Sequence, residues 1–90
     1  MEIKFVKESL PDLEYWRQSG NKRTLNKITQ LLKAIESDYK KGLGQPEQLK
    51  NNLSDCWSRP INKKDRIVYT VSEEDGVIYI MSLRGHYGDK

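Results

Sequence analysis

The residues of this chain best suited to chemistry are a carboxylate, two guanidiniums, an imidazole and a phenol: Glu47, Arg59, Arg66, His86 and Tyr87. His86 is the only histidine in 90 residues, and it stands close to the end of the sequence in "SLRGHYGDK". An unperturbed imidazole, with a pKa near ~6.5, either accepts or donates a proton at neutral pH. Together these groups match the needs of metal-free RNA cleavage. A base takes the proton of the 2′-hydroxyl, cations stabilise the crowded phosphorane, and an acid protonates the leaving 5′-oxygen. Glu47 fits the base and His86 the acid. Arg59 and Arg66 fit paired hydrogen bonds to phosphate, and Tyr87 fits stacking on a base or orienting the scissile phosphate. Taken singly, each also has a plain role. Glu47 reads equally as a solvated loop carboxylate, the arginines as residues flanking a turn, Tyr87 as a plug on the sheet, and His86 as part of a mobile tail.

These groups need a scaffold that brings them together. "EIKFV" at the N-terminus alternates polar and apolar residues and predicts a short strand. Ser9, Pro11 and Asp12 are placed to start a helix, with Ser9 capping the first-turn amides and Asp12 set favourably against the helix dipole. Leu10, Leu13 and Trp16 give that helix a narrow apolar stripe, and "QSGN" ends it. In the second helix Leu25, Ile28, Leu31, Leu32, Ile35 and Tyr39 line one face, with lysines on the other. "KGLGQPEQ" stops it and carries Glu47 in a loop.

Beyond residue 48 the period becomes two. "CWSRPIN" places Trp57, Arg59 and Ile61 on one side, and Pro60 confines that strand to an edge or turns its amide position away from a neighbour. "NKKD" makes a turn. "RIVYTV" and "VIYIMSL" are strands rich in β-branched and aromatic residues, joined through "SEEDG" as a hairpin. The order β-α-α-β-β-β predicts a single α+β domain over residues 1–90, with two helices packed on a small, mostly antiparallel sheet. In such a meander Arg66 begins one strand and His86 follows the next, so both project from the same rim. Trp16 and Trp57 read as core.

Composition narrows the class. With 36% hydrophobic and 32% charged residues, the chain is expected to be globular, with a modest core. No apolar run approaches the ~20 residues of a membrane span. Lysines and glutamates interrupt the N-terminal segment where a signal peptide would be apolar, so a cytoplasmic location is expected. Cys56 is the lone cysteine, which leaves no internal disulfide and no thiolate cluster for zinc; neither a metal nor a cofactor is expected. The charge is +3, but it is uneven. Residues 21–41 carry Lys22, Arg23, Lys27, Lys33, Lys40 and Lys41 against Glu36 and Asp38. Residues 50–66 carry Lys50, Arg59, Lys63, Lys64 and Arg66 against Asp55 and Asp65. Such faces suit a polyanion, although a solvated helix face looks the same in sequence.

"QPEQLKNNLSDCWSRPINKKDRIVYTV" followed by "RGHY" resembles the YoeB/Txe branch of the RelE-like bacterial toxins, and the likeness runs from "LEYWRQSGNKRTLNKI" through Tyr87. The resemblance implies a type II toxin–antitoxin endoribonuclease that cuts messenger RNA in the ribosomal A site and is silenced by a cognate YefM/Axe-like antitoxin. It implies catalytic roles for Glu47, Arg66, His86 and Tyr87. It further implies RNA or phosphate contacts from Lys50 and Arg59, to which the basic residues Lys63, Lys64 and Arg84 are added. Homodimers occur among such relatives. Two departures stand out: Pro60 replaces a second basic residue after "WSR", and Gly88-Asp89-Lys90 follow the tyrosine. Rival readings are a binding module without nuclease activity, like gyrase inhibitors on the same fold, and an RNA-binding protein that never turns over.

Overall fold

The computed structural model describes residues 1–49 and 55–85. The elements are β1 (Glu2–Phe5), a 3₁₀ turn (Lys7–Ser9), α1 (Leu10–Ser19), α2 (Lys22–Ser37), β2 (Glu47–Gln48), β3 (Cys56–Pro60), β4 (Arg66–Ser72) and β5 (Val77–Ser82). They form one sheet in the order β1-β5-β4-β3-β2. The pairs β2–β3, β3–β4 and β4–β5 are antiparallel, and β1 joins β5 in parallel. That parallel pairing needs a long connection, and the chain between the two strands runs through both helices and β2–β4. The α+β expectation holds. The sheet gains one strand, because Glu47–Gln48, read from sequence as loop, pairs with Trp57–Ser58. Two residues flanked by Pro46 are too short a run to show a period.

Side chains alternate across the sheet, and its two faces do different work. Trp57, Ile61, Ile67, Tyr69, Val71, Ile78 and Ile80 point to the helices and pack with Trp16, Leu31 and Ile35. Both tryptophans therefore serve the core, as expected. The opposite face carries Glu47, Ser58, Val68 and Ser82 in one register row. A bulge makes this possible: Tyr69 pairs with Ile80 but Val68 pairs with Ser82, so Met81 is the extra residue. The bulge returns Leu83 to the core while leaving Ser82 in the row.

The helix ends depart from expectation in instructive ways. Ser9 is buried and its hydroxyl donates to the Val6 carbonyl at 2.7 Å, inside the 3₁₀ turn, so it makes no side-chain cap. Leu10 is exposed, leaving Leu13 and Trp16 as the apolar stripe of α1. Asp12 reaches across the fold instead of serving its own helix: its carboxylate accepts from the Leu83 amide at 2.9 Å. Trp16 Nε1 donates to the Leu83 carbonyl at 2.8 Å. These two bonds hold the exit from β5 against α1. Helix α2 is capped by Asn21, whose Oδ1 accepts from the Thr24 amide at 3.0 Å. It stops at Ser37 because Asp38 turns extended, so Tyr39 lies past the helix yet still packs on the core.

No helix among the described residues is long and apolar enough to cross a membrane. The Asp12–Leu83 bond joins residues 71 apart. Asp12→Ala leaves a half-buried amide without its charged acceptor, and should lower unfolding free energy by about 1–3 kcal/mol, read from the urea midpoint at unchanged slope.

Candidate active site

Glu47 and Arg66 meet on the open face of the sheet. Arg66 is the Cα partner of Pro60, one row beyond the Glu47–Ser58 row. From there its guanidinium reaches back: Nε donates to Ser58 Oγ at 2.9 Å, and Nη2 contacts Glu47 Oε1 at 3.3 Å. The Glu47 side chain is 70% exposed and that of Arg66 21%. An ion pair so open to water is worth at most about 1 kcal/mol, and an incoming phosphate can compete for the arginine at small cost. The two charges border an open depression of about 420 Å³ lined by Gly44, Gln45, Pro46, Glu47, Pro60 and Arg66.

Arg59 is not at this site. It lies on the helix face of the same strand and is fully buried. Its Nε donates to Tyr69 Oη (3.1 Å), Nη1 to the Leu43 carbonyl (2.8 Å), and Nη2 to the carbonyls of Asp38 (2.8 Å) and Lys41 (3.0 Å). Tyr69 Oη in turn donates to the Tyr39 carbonyl at 2.7 Å. Burial pushes the Tyr69 phenol above its ordinary pKa, with Arg59 acting in the opposite direction, and the neutral phenol serves as donor and acceptor at once. The expectation that Arg59 holds phosphate is therefore corrected. Period-two alternation set it opposite Ser58, and the irregular segment 38–43 uses its guanidinium as a donor to three of its carbonyls, of which that of Asp38 also accepts from the Lys41 amide. The sequence could not show this, because the carbonyls belong to a loop of no regular pattern.

That clamp shapes the approach to Glu47. Gly42 and Gly44 take positive φ, and a Cβ on Gly44 would come within 3.0 Å of Leu31 Cδ2 and 3.4 Å of Arg59 Cβ. Only glycine permits the loop to lie this close to the core before Pro46 turns it into β2. Glu47 is thus delivered by a braced loop and a two-residue pairing.

The C-terminal approach is held as well. The Arg66 amide donates to the Gly85 carbonyl at 3.1 Å, and the Gly85 amide donates to Asp65 Oδ1 at 2.9 Å. The rim predicted to join Arg66 with the end of the chain is seen as far as Gly85. His86, Tyr87 and Lys50 lie outside the described residues. Lys63 and Lys64 are exposed in the turn 62–65, where Asn62 Oδ1 accepts from the amides of Lys64 and Asp65, each at 2.7 Å. Arg84 is exposed, with its guanidinium 3.6 Å from the centroid of the Tyr15 ring. The sequence reading passed over Ser58, which aligns Arg66; counting by twos from Pro60 places it on the Glu47 face. It also passed over Tyr15, whose partner is 69 positions away and has no local signal.

Fold and site together define a small α+β domain that presents a carboxylate and a guanidinium on an open sheet face, flanked by exposed cations. Comparison with known proteins makes the class specific. Residues 5–87 match the family model described as YoeB-like toxin of bacterial type II toxin-antitoxin system. The chain is 45% identical to Toxin YoeB of Synechocystis sp. over 97% of its own length and 98% of that protein. Its structure is similar to a YoeB/ParE toxin from Agrobacterium tumefaciens, with a TM-score of 0.88 and 33% identity over 97% of this chain and 100% of that one. It is likewise similar to the toxin of the YoeB-YefM complex from Staphylococcus aureus, with a TM-score of 0.82 and 41% identity over 97% and 98% of the two chains. The YoeB of that organism is also known as a dimer, with a TM-score of 0.83. This chain belongs to the family of YoeB-like toxins of bacterial type II toxin–antitoxin systems.

The two arginines predict opposite behaviour. Arg59→Met removes a donor from three part-buried carbonyls and from the Tyr69 hydroxyl and should cost about 3 kcal/mol, whereas Arg66→Met, at the open face, should stay within about 1 kcal/mol of wild type in urea unfolding. Similar losses for both would contradict the division of labour.

Proposed function

We propose that this toxin is a metal-independent endoribonuclease that cuts messenger RNA in the ribosomal A site and leaves a 2′,3′-cyclic phosphate. The observation that carries the reading is the Glu47–Arg66 pair, 3.3 Å apart at the edge of an open depression. Arg66 binds the scissile phosphate in place of Glu47 and stabilises the phosphorane. The released carboxylate takes the 2′-hydroxyl proton. His86 protonates the leaving 5′-oxygen, and Tyr87 positions the RNA. The bonds that hold Gly85 at Arg66 support this assignment, because they bring the chain to the site one residue before His86. Lys50, Lys63, Lys64 and Arg84 contact the RNA backbone or bases, and the exposed lysines of α2 dock on ribosomal RNA, giving salt-dependent binding.

In this reading the toxin works in the cytoplasm, dimerises, and is inhibited by a YefM-like antitoxin that covers the open face. The S. aureus complex and dimer are the support for both associations.

Primer extension on messenger RNA bound to programmed ribosomes should show discrete cuts with wild type. Glu47→Gln and His86→Ala should each lower the cleavage rate by roughly 10²–10⁴-fold, the usual worth of a positioned proton carrier. Wild type that binds ribosomes and cuts nothing would favour a binding module. Undiminished cutting by His86→Ala would remove the imidazole from the mechanism.

A further inference from the structure

Arg84 is held in an unusual way for an exposed arginine. Its guanidinium carbon lies 3.6 Å from the centroid of the Tyr15 ring, so one face is stacked on the phenol. The ring is itself braced: Trp16 meets it edge to face at 5.1 Å and 80°, and the buried Trp16 is anchored through Nε1 to the Leu83 carbonyl. Tyr15 is 46% exposed and Arg84 is exposed. No N–H of Arg84 is given to another described residue, and among the described residues it makes no ion pair. The aromatic base thus presents a flat cation whose donor edge has no hydrogen-bond partner among the described residues. Stacking on the ring restricts the rotamers that a ligand would otherwise have to freeze. The backbone next to Arg84 is tied to the strand that carries Arg66, since Gly85 accepts from the Arg66 amide at 3.1 Å.

The geometry points to a base-stacking subsite: Tyr15 and Arg84 form a layered platform on which a nucleobase of single-stranded RNA stacks, at the rim where the chain leaves β5. Every base offers a π-face to a guanidinium, so the subsite grips RNA without choosing sequence. The positive charge matches a polyanion, and it also attracts the base through its π electrons. This inference rests on the nuclease reading for the identity of its ligand, but it concerns binding, and binding can be measured without cleavage.

The test uses the full chain and a short single-stranded RNA of 2′-fluoro nucleotides, which lacks the 2′-hydroxyl nucleophile. The fluorescent base 2-aminopurine is placed at each position in turn. Wild type should quench the probe strongly at one position or more. Tyr15→Leu and Arg84→Lys should abolish that quench and weaken binding about tenfold, while Tyr15→Phe, which keeps the ring, should match wild type. Arg84→Lys retains the charge, so the slope of log K against log salt should stay unchanged. Arg84→Gln should flatten it by about 0.7. Wild-type quench and affinity in Arg84→Lys would overturn the stack and leave Arg84 as a point charge. No quench at any position by wild type would overturn it as well. Ribosomal cleavage by wild type is scored separately. Cuts without quench would sink the platform alone, and quench without cuts would sink the nuclease reading alone.

Discussion

A single buried guanidinium organises this molecule. Arg59 carries a charge into the interior and makes no ion pair among the described residues; a phenol and three backbone carbonyls take its donors. Burial of a cation is costly unless its donors are fully used, and here each nitrogen has a geometric partner. The reverse is equally important. The segment 38–43 has no helix or strand to absorb its carbonyls, and without Arg59 the part-buried carbonyls of Lys41 and Leu43 would lose the donor they have in the fold. The irregular loop and the buried cation each stabilise what the other could not sustain.

The consequences run outward from that clamp. The loop so fixed leads through Gly44 and Pro46 into β2, a strand too short to hold itself. Its first residue is Glu47, which pairs with Ser58, the neighbour of Arg59 on the opposite face. Ser58 aligns Arg66, and Arg66 meets Glu47. One strand, Cys56–Pro60, therefore supplies structure on one face and a site on the other. Two arginines seven positions apart in sequence divide along this line: the buried one spends its donors on the protein, and the partly exposed one retains capacity for a ligand.

The rim has its own support. Asp12 and Trp16 take the two backbone groups of Leu83, while Asp65 and Arg66 take those of Gly85. The exit from β5 is thus bonded on alternate residues, first to α1 and then to the start of β4. Between them stands Arg84, whose side chain has Tyr15 beneath it. A short segment with no regular structure becomes fixed because both backbone groups of Leu83 and of Gly85 are used. That rigidity makes the neighbourhood of Arg66 a defined surface.

What the sequence by itself determined was whatever obeys a period. The apolar stripe of α2, the alternating strands from "CWSRPIN" onward, the "SEEDG" hairpin and the β-α-α-β-β-β order follow from residue spacing, because local geometry repeats. The family motifs also pointed to Glu47 and Arg66, and these do come together. The fate of each polar group without a local partner was decided only by the tertiary structure. Asp12 looked like a helix-start residue and became an acceptor for a strand exit. Arg59 looked like a phosphate ligand and became the loop's donor. Glu47 looked like loop and became strand. In each case the deciding partner lies between 10 and 71 positions away. Hydrogen bonds at such separations leave no local pattern, since they depend on which backbone groups the fold has left unpaired.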